Sequence, residues 1–329
     1  MVKKILKETV KALLWIVLFA VVGLVVFLYN PKSVTTLNRD INSSSPYDTG
    51  GSRQELYERF DSFILDQATS TPFVGWFVVS KGRKLFELRS KGIVDEIAST
   101  VVPEGKIKVW YIYNMGVVAK TSKHIIAFDI AAPYLSFSFR GIGDLADIIL
   151  TSHVHGDHYD TWVLKNGKNL VFPAGTYLAK SYKNKNLYEL ESGKKVNIDG
   201  ASVTAFQTDH RRDQNFDFAV AWYLVEVDGF KLVHTGDGFN FKNMKERDFL
   251  YTQDIDILFA NNQTAPFNIR DLSPKVVIPL HMHEIMHTKG YLETDGFGDV
   301  MSSFAKEAGS LKGITPYLLF WGESIEYSK

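Results

Sequence analysis

The sequence predicts an α/β protein preceded by a membrane helix, and three observations support this. The chain has 329 residues, which is enough for one large domain with a sizeable core. From Lys106 onward, short β-branched and aromatic runs alternate with helical segments, a pattern typical of α/β folds. An uncharged apolar run, Ala12–Tyr29, lies near the N-terminus.

The composition is that of a globular protein and excludes several classes of site. Hydrophobic residues make up 45% of the chain, and 37 basic residues balance 37 acidic ones. This balance provides no global basic field, so nucleic acid is not expected as a partner. The chain has no cysteine, which excludes disulfides, thiolate zinc sites and a cysteine nucleophile.

Residues 1–29 have the pattern of a membrane anchor. As a helix, Ala12–Tyr29 would span about 27 Å, close to the thickness of a bilayer core. Basic residues concentrate before this run, at Lys3, Lys4, Lys7 and Lys11. The positive-inside bias predicts a single-pass protein with a cytoplasmic N-terminus and an extracytoplasmic domain. A cleaved signal peptide is the alternative, but its apolar region is usually shorter and no Ala-x-Ala site follows.

The segment between the apolar run and the main domain, residues 30–52, is rich in Ser, Asn, Thr, Gly and Asp and is predicted to be a flexible linker. The domain itself is expected to cover residues 53–329. It begins with a predicted helix, Arg53–Gln67, in which apolar side chains recur at helical spacing. Residues 53–105 are an N-terminal extension whose role the sequence does not define.

The predicted strands follow in chain order. They are Lys108–Tyr113, Gly116–Ala119, His124–Phe128, Ala146–Ser152, Ala201–Gln207, Phe218–Val227, Lys231–His234, Ile255–Ala260, Lys275–Leu280 and Tyr317–Phe320. Val300–Glu307 is predicted to be a helix. The chain has no Gly-x-Gly-x-x-Gly or P-loop motif, so nucleotide binding gains no support.

The segment His153-Val-His155-Gly-Asp157-His158 carries four metal-competent side chains within six positions. Two histidines at i and i+2 in an extended segment can point the same way and bind one ion. The Asp and His that follow can turn toward a second ion. Imidazole and carboxylate ligands suit zinc and, less often, iron or manganese.

Three further candidate ligands lie at the ends of later predicted strands. His210 follows the strand Ala201–Gln207, Asp237 follows Lys231–His234, and His281 follows the apolar run before it. If these strands are neighbours in a sheet, their ends meet at one edge, beside the histidine motif.

These ordered motifs, together with Asp129 after an early strand, resemble those of the metallo-β-lactamase-fold superfamily of metallohydrolases. The resemblance covers roughly residues 106–326. It implies a four-layer αββα sandwich with the site at one edge of the paired sheets. It also implies a first metal held by His153, His155 and His210, a second held by Asp157, His158 and His281, and Asp237 as the bridge between them.

Other histidines receive different interpretations. His283 and His287 lie near His281, but only His281 directly follows the strand, so the other two are placed outside the ligand set. His234 is interpreted as a residue that orients a ligand. His124 is interpreted as structural.

The resemblance implies hydrolysis by a hydroxide that bridges two divalent ions, with zinc favoured and iron or manganese as alternatives. Asp157 would orient this hydroxide, and no covalent intermediate is needed. The true β-lactamases of the superfamily lack a bridging Asp, so Asp237 argues against β-lactam hydrolysis. The di-iron oxidoreductases usually carry Glu where His155 stands, which argues against redox chemistry.

Within the superfamily, the chain is most similar to the group of the ascorbate-6-phosphate lactonase and of the phospholipase D acting on N-acylphosphatidylethanolamine. The similarity rests on Leu280-His281-Met282, His234-Thr-Gly-Asp237 and Trp321-Gly-Glu323. It implies a phosphodiester, lactone or related ester as substrate, either a small molecule or a lipid. Arg211 and Arg212 could bind a phosphate, or could form a solvated loop pair. One departure is Tyr113-Asn-Met-Gly116, which stands where the group often has a histidine.

Two alternatives stay open at this point. One is an extracytoplasmic nuclease of the same fold, which a basic groove beside the site would favour. The other is a non-catalytic binding protein with a relic metal site. Relic sites usually lose a ligand, and all seven positions are filled here. The sequence does not predict the oligomeric state.

Overall fold

The structure is a computed structural model, and two mixed β-sheets form its centre. It describes residues 11, 13–17, 31–48, 50–67, 82–131, 138–182, 185–210, 219–261, 266–281 and 312–329. The helices are α1 (Pro31–Asn42), α2 (Gly51–Gln67), a helical stretch over 82–90, α3 (Ile93–Ser99), α4 (Ile142–Leu145), α5 (Thr161–Asn166), α6 (Met244–Tyr251) and α7 (Pro266–Leu272), with a 3-10 turn at Tyr177–Tyr182.

The first sheet has seven strands within the described ranges, in the spatial order β15-β1-β2-β3-β4-β5-β6. Their bounds are β1 Lys106–Tyr113, β2 Gly116–Lys120, β3 Ile125–Phe128, β4 Ile148–Leu150, β5 Asn169–Pro173, β6 Asn186–Leu190 and β15 Ser324–Ser328. Strands β3 to β6 run parallel, and β15, β1, β2 and β3 pair antiparallel. The carboxyl ends of β3, β4 and β5 therefore meet at one edge of this sheet.

The second sheet has the order β11-β8-β9-β10-β12-β13-β14, with β7 paired to β8. Its strands are β7 Lys195–Ile198, β8 Ala201–His210, β9 Val220–Val227, β10 Phe230–His234, β11 Gly238–Phe241, β12 Ile257–Asn261, β13 Val276–Leu280 and β14 Thr315–Pro316. Because β10, β12 and β13 are parallel, their carboxyl ends share one edge.

The second sheet is buried on both faces, which explains its nearly continuous apolar strands. On β9, Tyr223 and Val225 belong to the large core between the sheets. Trp222 and Leu224, which alternate with them, pack into a second core that includes side chains of α6 and α7. The two-sheet α/β architecture predicted from the sequence is confirmed, and helices cover the outer face of this sheet as the resemblance implied.

The prediction of a flexible linker over residues 30–52 is wrong in part, because helix α1 and the start of α2 lie in this segment. Val34, Leu37 and Ile41 are buried and lie on one face of α1 at helical spacing. Polar residues between them dominate the composition of the segment, so the helical spacing of its few apolar residues is hard to recognise in the sequence. The predicted helix Arg53–Gln67 is confirmed as most of α2.

A buried ion pair joins α2 to the C-terminal part of the chain. The Arg53 guanidinium is fully buried, forms a salt bridge with Glu323 and donates to the Leu318 carbonyl at 2.6 Å. Arg89 lies 3.7 Å from the same carboxylate. Burial lowers the pKa of Arg89 to about 10, although Glu323 acts in the opposite direction. Helix α2 and the helical stretch 82–90 are therefore packed against the C-terminal part of the main body.

The membrane anchor predicted over residues 12–29 needs correction. Within the described residues, no helix has both the length and the apolar character that a bilayer crossing requires. Of the predicted run, only 13–17 are described, and the rest lies outside the described residues. The span was predicted from length and composition alone, and eighteen residues lie near the lower end of the usual range of about 17–25. The localisation derived from it, a single-pass protein with an extracytoplasmic domain, is wrong on this finding.

Two further segments depart from the predictions. The predicted strand Tyr317–Phe320 is irregular, although Leu319 and Phe320 are buried, and the last strand is β15 instead. The segment Tyr317–Phe320 packs against α2, and the ring centroids of Phe60 and Phe320 lie 5.0 Å apart. Its apolar residues therefore indicated burial, not an extended strand. The predicted helix Val300–Glu307 lies outside the described residues.

Candidate metal centre

The candidate ligands converge where the two sheets present the ends of their parallel strands. The histidine motif follows β4 in the first sheet, and Asp237 and His281 follow β10 and β13 in the second. His210 ends β8 and pairs with Gly238 of β11, which directly follows Asp237. A hydrogen bond from Ala221 N to Ser152 O joins the two sheets directly beneath the site, at 3.0 Å.

Four side chains form a first group whose ligand atoms all lie within 4.8 Å of one another: His153, His155, His210 and Asp237. His153 Nε2 lies 2.9 Å from His155 Nδ1. His210 Nε2 lies 3.4 Å from Asp237 Oδ2. The i and i+2 histidines therefore point the same way, as the sequence predicted.

A second group with the same spacing consists of Asp157, His158 and His281. The Nε2 atoms of His158 and His281 lie 3.5 and 3.7 Å from Asp157 Oδ2. The structure thus brings together the seven residues that the resemblance named, three histidines in the first group and three ligands in the second, with Asp237, the implied bridge, grouped with the first.

Asp237 lies between the two groups. Its Oδ1 is 3.4 Å from His158 Nε2, and its Oδ2 is 3.3 Å from His281 Nε2. The same Oδ2 faces His210 of the first group. This carboxylate is within reach of both positions, as a bridging ligand must be.

Asp129 orients His158 of the second group through hydrogen bonds. Its Oδ2 accepts from His158 Nδ1 at 2.8 Å and from Ser152 Oγ at 2.6 Å, and its Oδ1 accepts from Ser152 N at 2.6 Å. The bond to Nδ1 leaves His158 Nε2 directed at the site, which is how a carboxylate orients a ligating imidazole. Asp129 has a φ of 43°, a conformation that Asp tolerates better than most residues.

His234 is buried below the site and is not among the grouped ligands. Its Nε2 donates to the Met115 carbonyl at 2.9 Å, and its Nδ1 accepts from Gly236 N at 3.2 Å. Its ring stacks on Phe128, with centroids 5.1 Å apart. His234 therefore holds the turn that presents Asp237.

His124 lies away from the site, at the start of β3. Its Nδ1 is 2.9 Å from Asp228 and its Nε2 is 2.7 Å from the Asp199 carbonyl. Both partners belong to turns of the second sheet, so this residue links the sheets. The structural interpretation of His124 agrees with these contacts.

The electrostatics of the groups suit metal binding. Burial, aided by His158, holds the pKa of His153 well below its ordinary value, so this imidazole is neutral and can donate a lone pair. Burial opposes ionisation of Asp237, but His158 and His281 outweigh it and hold the pKa of this carboxyl well below its usual range. For His158 the neighbouring carboxylates, Asp237 first, outweigh burial and raise the pKa, so a metal ion would have to displace a proton from this ring.

Two asparagines support the site, and sequence analysis did not assign them a role. Asn114 Nδ2 donates to Asp157 Oδ2 at 3.0 Å, and Asn261 Nδ2 donates to Asp237 Oδ1 at 2.7 Å. Neither residue belongs to a ligand motif. The one available signal was that Asn114 stands at the departure from the group's usual histidine.

The donor set fits two divalent ions. His158 Nε2 is buried and has no hydrogen-bond partner in the described part of the chain, although two carboxylates lie 3.4 and 3.5 Å away. A buried polar atom without a partner is costly unless a ligand satisfies it. Arg211, Arg212, His283 and His287 lie outside the described residues, so the phosphate-binding prediction stays untested.

The part of the chain that carries the site matches a known protein family. A β-lactamase superfamily domain model matches residues 117–281, half of the chain. The match runs from β2 to His281 and includes every residue of both groups. The resemblance to the superfamily is confirmed.

Curated relatives agree with the predicted class of enzyme. The chain is 28% identical over 150 residues to a UPF0173 metal-dependent hydrolase of Thermococcus onnurineus, a match that covers 41% of this chain and 66% of the relative. A UPF0173 metal-dependent hydrolase of Staphylococcus saprophyticus is also 28% identical, with coverage of 41% and 67%. The chain thus spans about two thirds of the length of these relatives.

Solved structures support the fold. Igni18, a metallo hydrolase from Ignicoccus hospitalis, has a TM-score of 0.51 and 15% identity, covering 68% of this chain and 99% of its own. CmlA, a diiron β-hydroxylase from Streptomyces venezuelae, has a TM-score of 0.52 and 13% identity, covering 69% and 55%. Since one fold serves a hydrolase and a hydroxylase, the fold alone does not choose the metal or the reaction.

Proposed function

The chain belongs to the β-lactamase superfamily, and on this premise we propose that it is a metal-dependent hydrolase with two divalent ions in its site. The observation that carries the proposal is the division of seven buried or half-buried ligands into two groups that share Asp237. A relic site would be expected to have lost at least one of these donors.

Zinc is the metal we propose. Five imidazoles and two carboxylates make up the ligand set, and this mixture of nitrogen and oxygen donors suits zinc, with iron or manganese as the alternatives. Bound ions of this kind supply an activated water and stabilise the negative charge that develops on the substrate oxygen.

The residues of the chain hold and orient the reactants. Asp157 presents Oδ2 to both histidines of the second group, where it would orient the attacking water. Asp129 fixes the direction of His158, and His234 fixes the turn before Asp237. The Ser152 hydroxyl beside the ligands is buried and donates to Asp129, and the chain has no Cys, so we propose direct attack by water without a covalent intermediate.

We propose a phosphodiester, a lactone or a related ester as the substrate class. The support is the similarity of the motifs around His234, His281 and Trp321 to the lactonase and phospholipase group. Arg211 and Arg212 follow His210 in the sequence and would bind a substrate phosphate. Their replacement by Ala would then raise KM for a phosphodiester more than it lowers kcat.

Turnover assays on the full chain test the proposal. The wild type is expected to hydrolyse bis(p-nitrophenyl) phosphate or a simple lactone with added zinc, and a chelator should abolish this activity. Asp157→Ala should lower kcat/KM by at least about a hundredfold while the circular dichroism spectrum stays that of the wild type. Asp209→Ala, an exposed neighbour of His210, is the control and should retain activity.

Full activity of Asp157→Ala, or wild-type activity that no chelator affects, would contradict the two-metal mechanism. Activity toward the lactone alone would keep the mechanism and remove the phosphate part of the substrate proposal.

A further inference from the structure

Asn114 occupies the turn between β1 and β2 and is fully buried. Its φ is 53°, a left-handed conformation that Asn adopts more readily than most residues. Its backbone carbonyl accepts from His281 N at 3.0 Å. The backbone of Asn114 thus contacts one member of the second ligand group.

The Asn114 side chain contacts a second member of that group. Its Nδ2 donates to Asp157 Oδ2 at 3.0 Å and to the Asp157 carbonyl at 3.2 Å. The carboxylate oxygen that receives this bond is the one that faces His158 and His281. One buried residue therefore joins the turn after β1, the histidine motif and the segment after β13.

The orientation of the amide is fixed by chemistry. Both atoms facing Nδ2 are acceptors, so a flipped amide would set its oxygen against a carboxylate and a carbonyl. The Asn114 Oδ1 is consequently directed away from Asp157. It is buried and has no hydrogen-bond partner among the described residues.

A purely structural account does not explain this side chain. The left-handed turn and the bond to His281 N need only the backbone, and glycine would supply both. Burying an amide oxygen without a partner destabilises a fold. The polar side chain is therefore costly to the fold and has its contacts at the ligand group.

We propose that Asn114 is a positioning residue that directs the Asp157 carboxylate toward the second metal position. Its amide donates to Asp157 Oδ2 and so holds that oxygen facing His158 and His281. The inference rests on the two-metal function proposed above. Asn261 performs the corresponding task for Asp237, which both groups share.

The distinction between the two asparagines yields a specific test. Zinc is titrated into the metal-free full chain in competition with a chelator, and the Kd of each equivalent is measured. Asn114→Gly should keep the first Kd and raise the second by about 10–100-fold, the usual cost of losing such a partner. Asn261→Ala, the matched control, should weaken both equivalents, because Asp237 reaches both groups.

The melting temperature of each metal-free variant provides a readout that does not depend on turnover. Asn114→Gly should melt close to the wild type without zinc and gain less from added zinc. Asn114→Ala removes the same donor without adding backbone freedom. Because Ala is strained at a φ of 53°, the quantity compared in this second variant is the gain in melting temperature from added zinc, which should again be smaller than in the wild type.

The outcomes separate the two proposals. A wild type with two equivalents and an Asn114 variant with two unchanged Kd values would overturn the role of Asn114 alone. A wild type that binds fewer than two zinc ions would overturn the proposed function and this inference together. Equal weakening of both equivalents in the Asn114 variant would also contradict selective positioning.

Discussion

At the residue scale, Gly236 shows how closely the backbone approaches the ligand-bearing loops. Its φ is 49°, and an added Cβ would lie 2.4 Å from the Cβ of Ser152. Ser152 in turn donates to Asp129. A side chain at position 236 would therefore strain the turn and displace the support of His158.

Gly236→Ala is expected to lower the free energy of unfolding by about 2–3 kcal/mol, because backbone strain and the contact with Ser152 add. Urea denaturation measures this change. Gly175→Ala is the matched control, since its φ is also positive, at 84°, and no atom lies within 4 Å of the added Cβ. Its cost should be only about 1 kcal/mol, and equal losses in the two variants would refute the role of Ser152.

The predictability of the site also differs from residue to residue. The seven grouped side chains could be identified from the sequence because each follows a strand and belongs to a motif. Asn114, Asn261 and Ser152 could not, since single polar residues without periodicity or spacing carry no signal of their own. Their roles depend on which loops the fold brings together.

At the scale of elements, the Arg53–Glu323 pair connects α2 to the turn before β15. Both side chains are buried, Arg53 completely, so the loss of one partner leaves a charge in an apolar surrounding. Glu323→Gln should cost about 3–5 kcal/mol in thermal or urea unfolding. The half-exposed pair Arg83–Glu87 is the control, and Glu87→Gln should cost less than about 1 kcal/mol. Similar costs for the two substitutions would mean that the buried pair is not a structural link.

The links between the two sheets predict a pH dependence of stability. Burial opposes the charge on His124, but the hydrogen bond to Asp228 outweighs it and raises the pKa of this imidazole above its ordinary value. The stability that the protonated ring provides is therefore complete below the unfolded pKa of about 6.5 and is lost as pH rises through the folded pKa.

His124→Gln should consequently destabilise the protein by about 1–2 kcal/mol near pH 6 and by less near pH 9. The free energies of unfolding of variant and wild type, compared at the two pH values, measure this difference. Asp228→Asn keeps an acceptor oxygen but removes the negative charge that favours the protonated ring, so it should reproduce the loss of the pH dependence. A gap that widens with pH would show that the sign, and with it the assigned interaction, is wrong.

Helices were harder to predict than strands at this scale. The strands of the second sheet are buried on both faces and appear in the sequence as apolar runs, as for Ile257–Asn261. Among the described side chains of helix α1, three are buried between polar ones, so composition pointed to a linker. The segment Tyr317–Phe320 gave the opposite error, a strand predicted where none is found, because it is apolar and buried but not extended.

At the scale of the whole molecule, the family match covers residues 117–281, whereas α1, α2 and the helical stretch 82–90 precede it. These helices pack on the core through Phe60, Phe86 and Trp321, whose rings lie 4.9 to 5.5 Å apart in successive contacts. The order of motifs identified the superfamily. The N-terminal helices have no motif, so their place in the fold required the structure.

The central claim is that two ions bind within one site. Metal content, measured by inductively coupled plasma mass spectrometry on the full chain purified without added metal or chelator, tests it most directly. We predict two equivalents of zinc per chain in the wild type, and loss of both in Asp237→Ala, since this carboxylate reaches both groups. One equivalent or none, not restored by added zinc, would contradict the account.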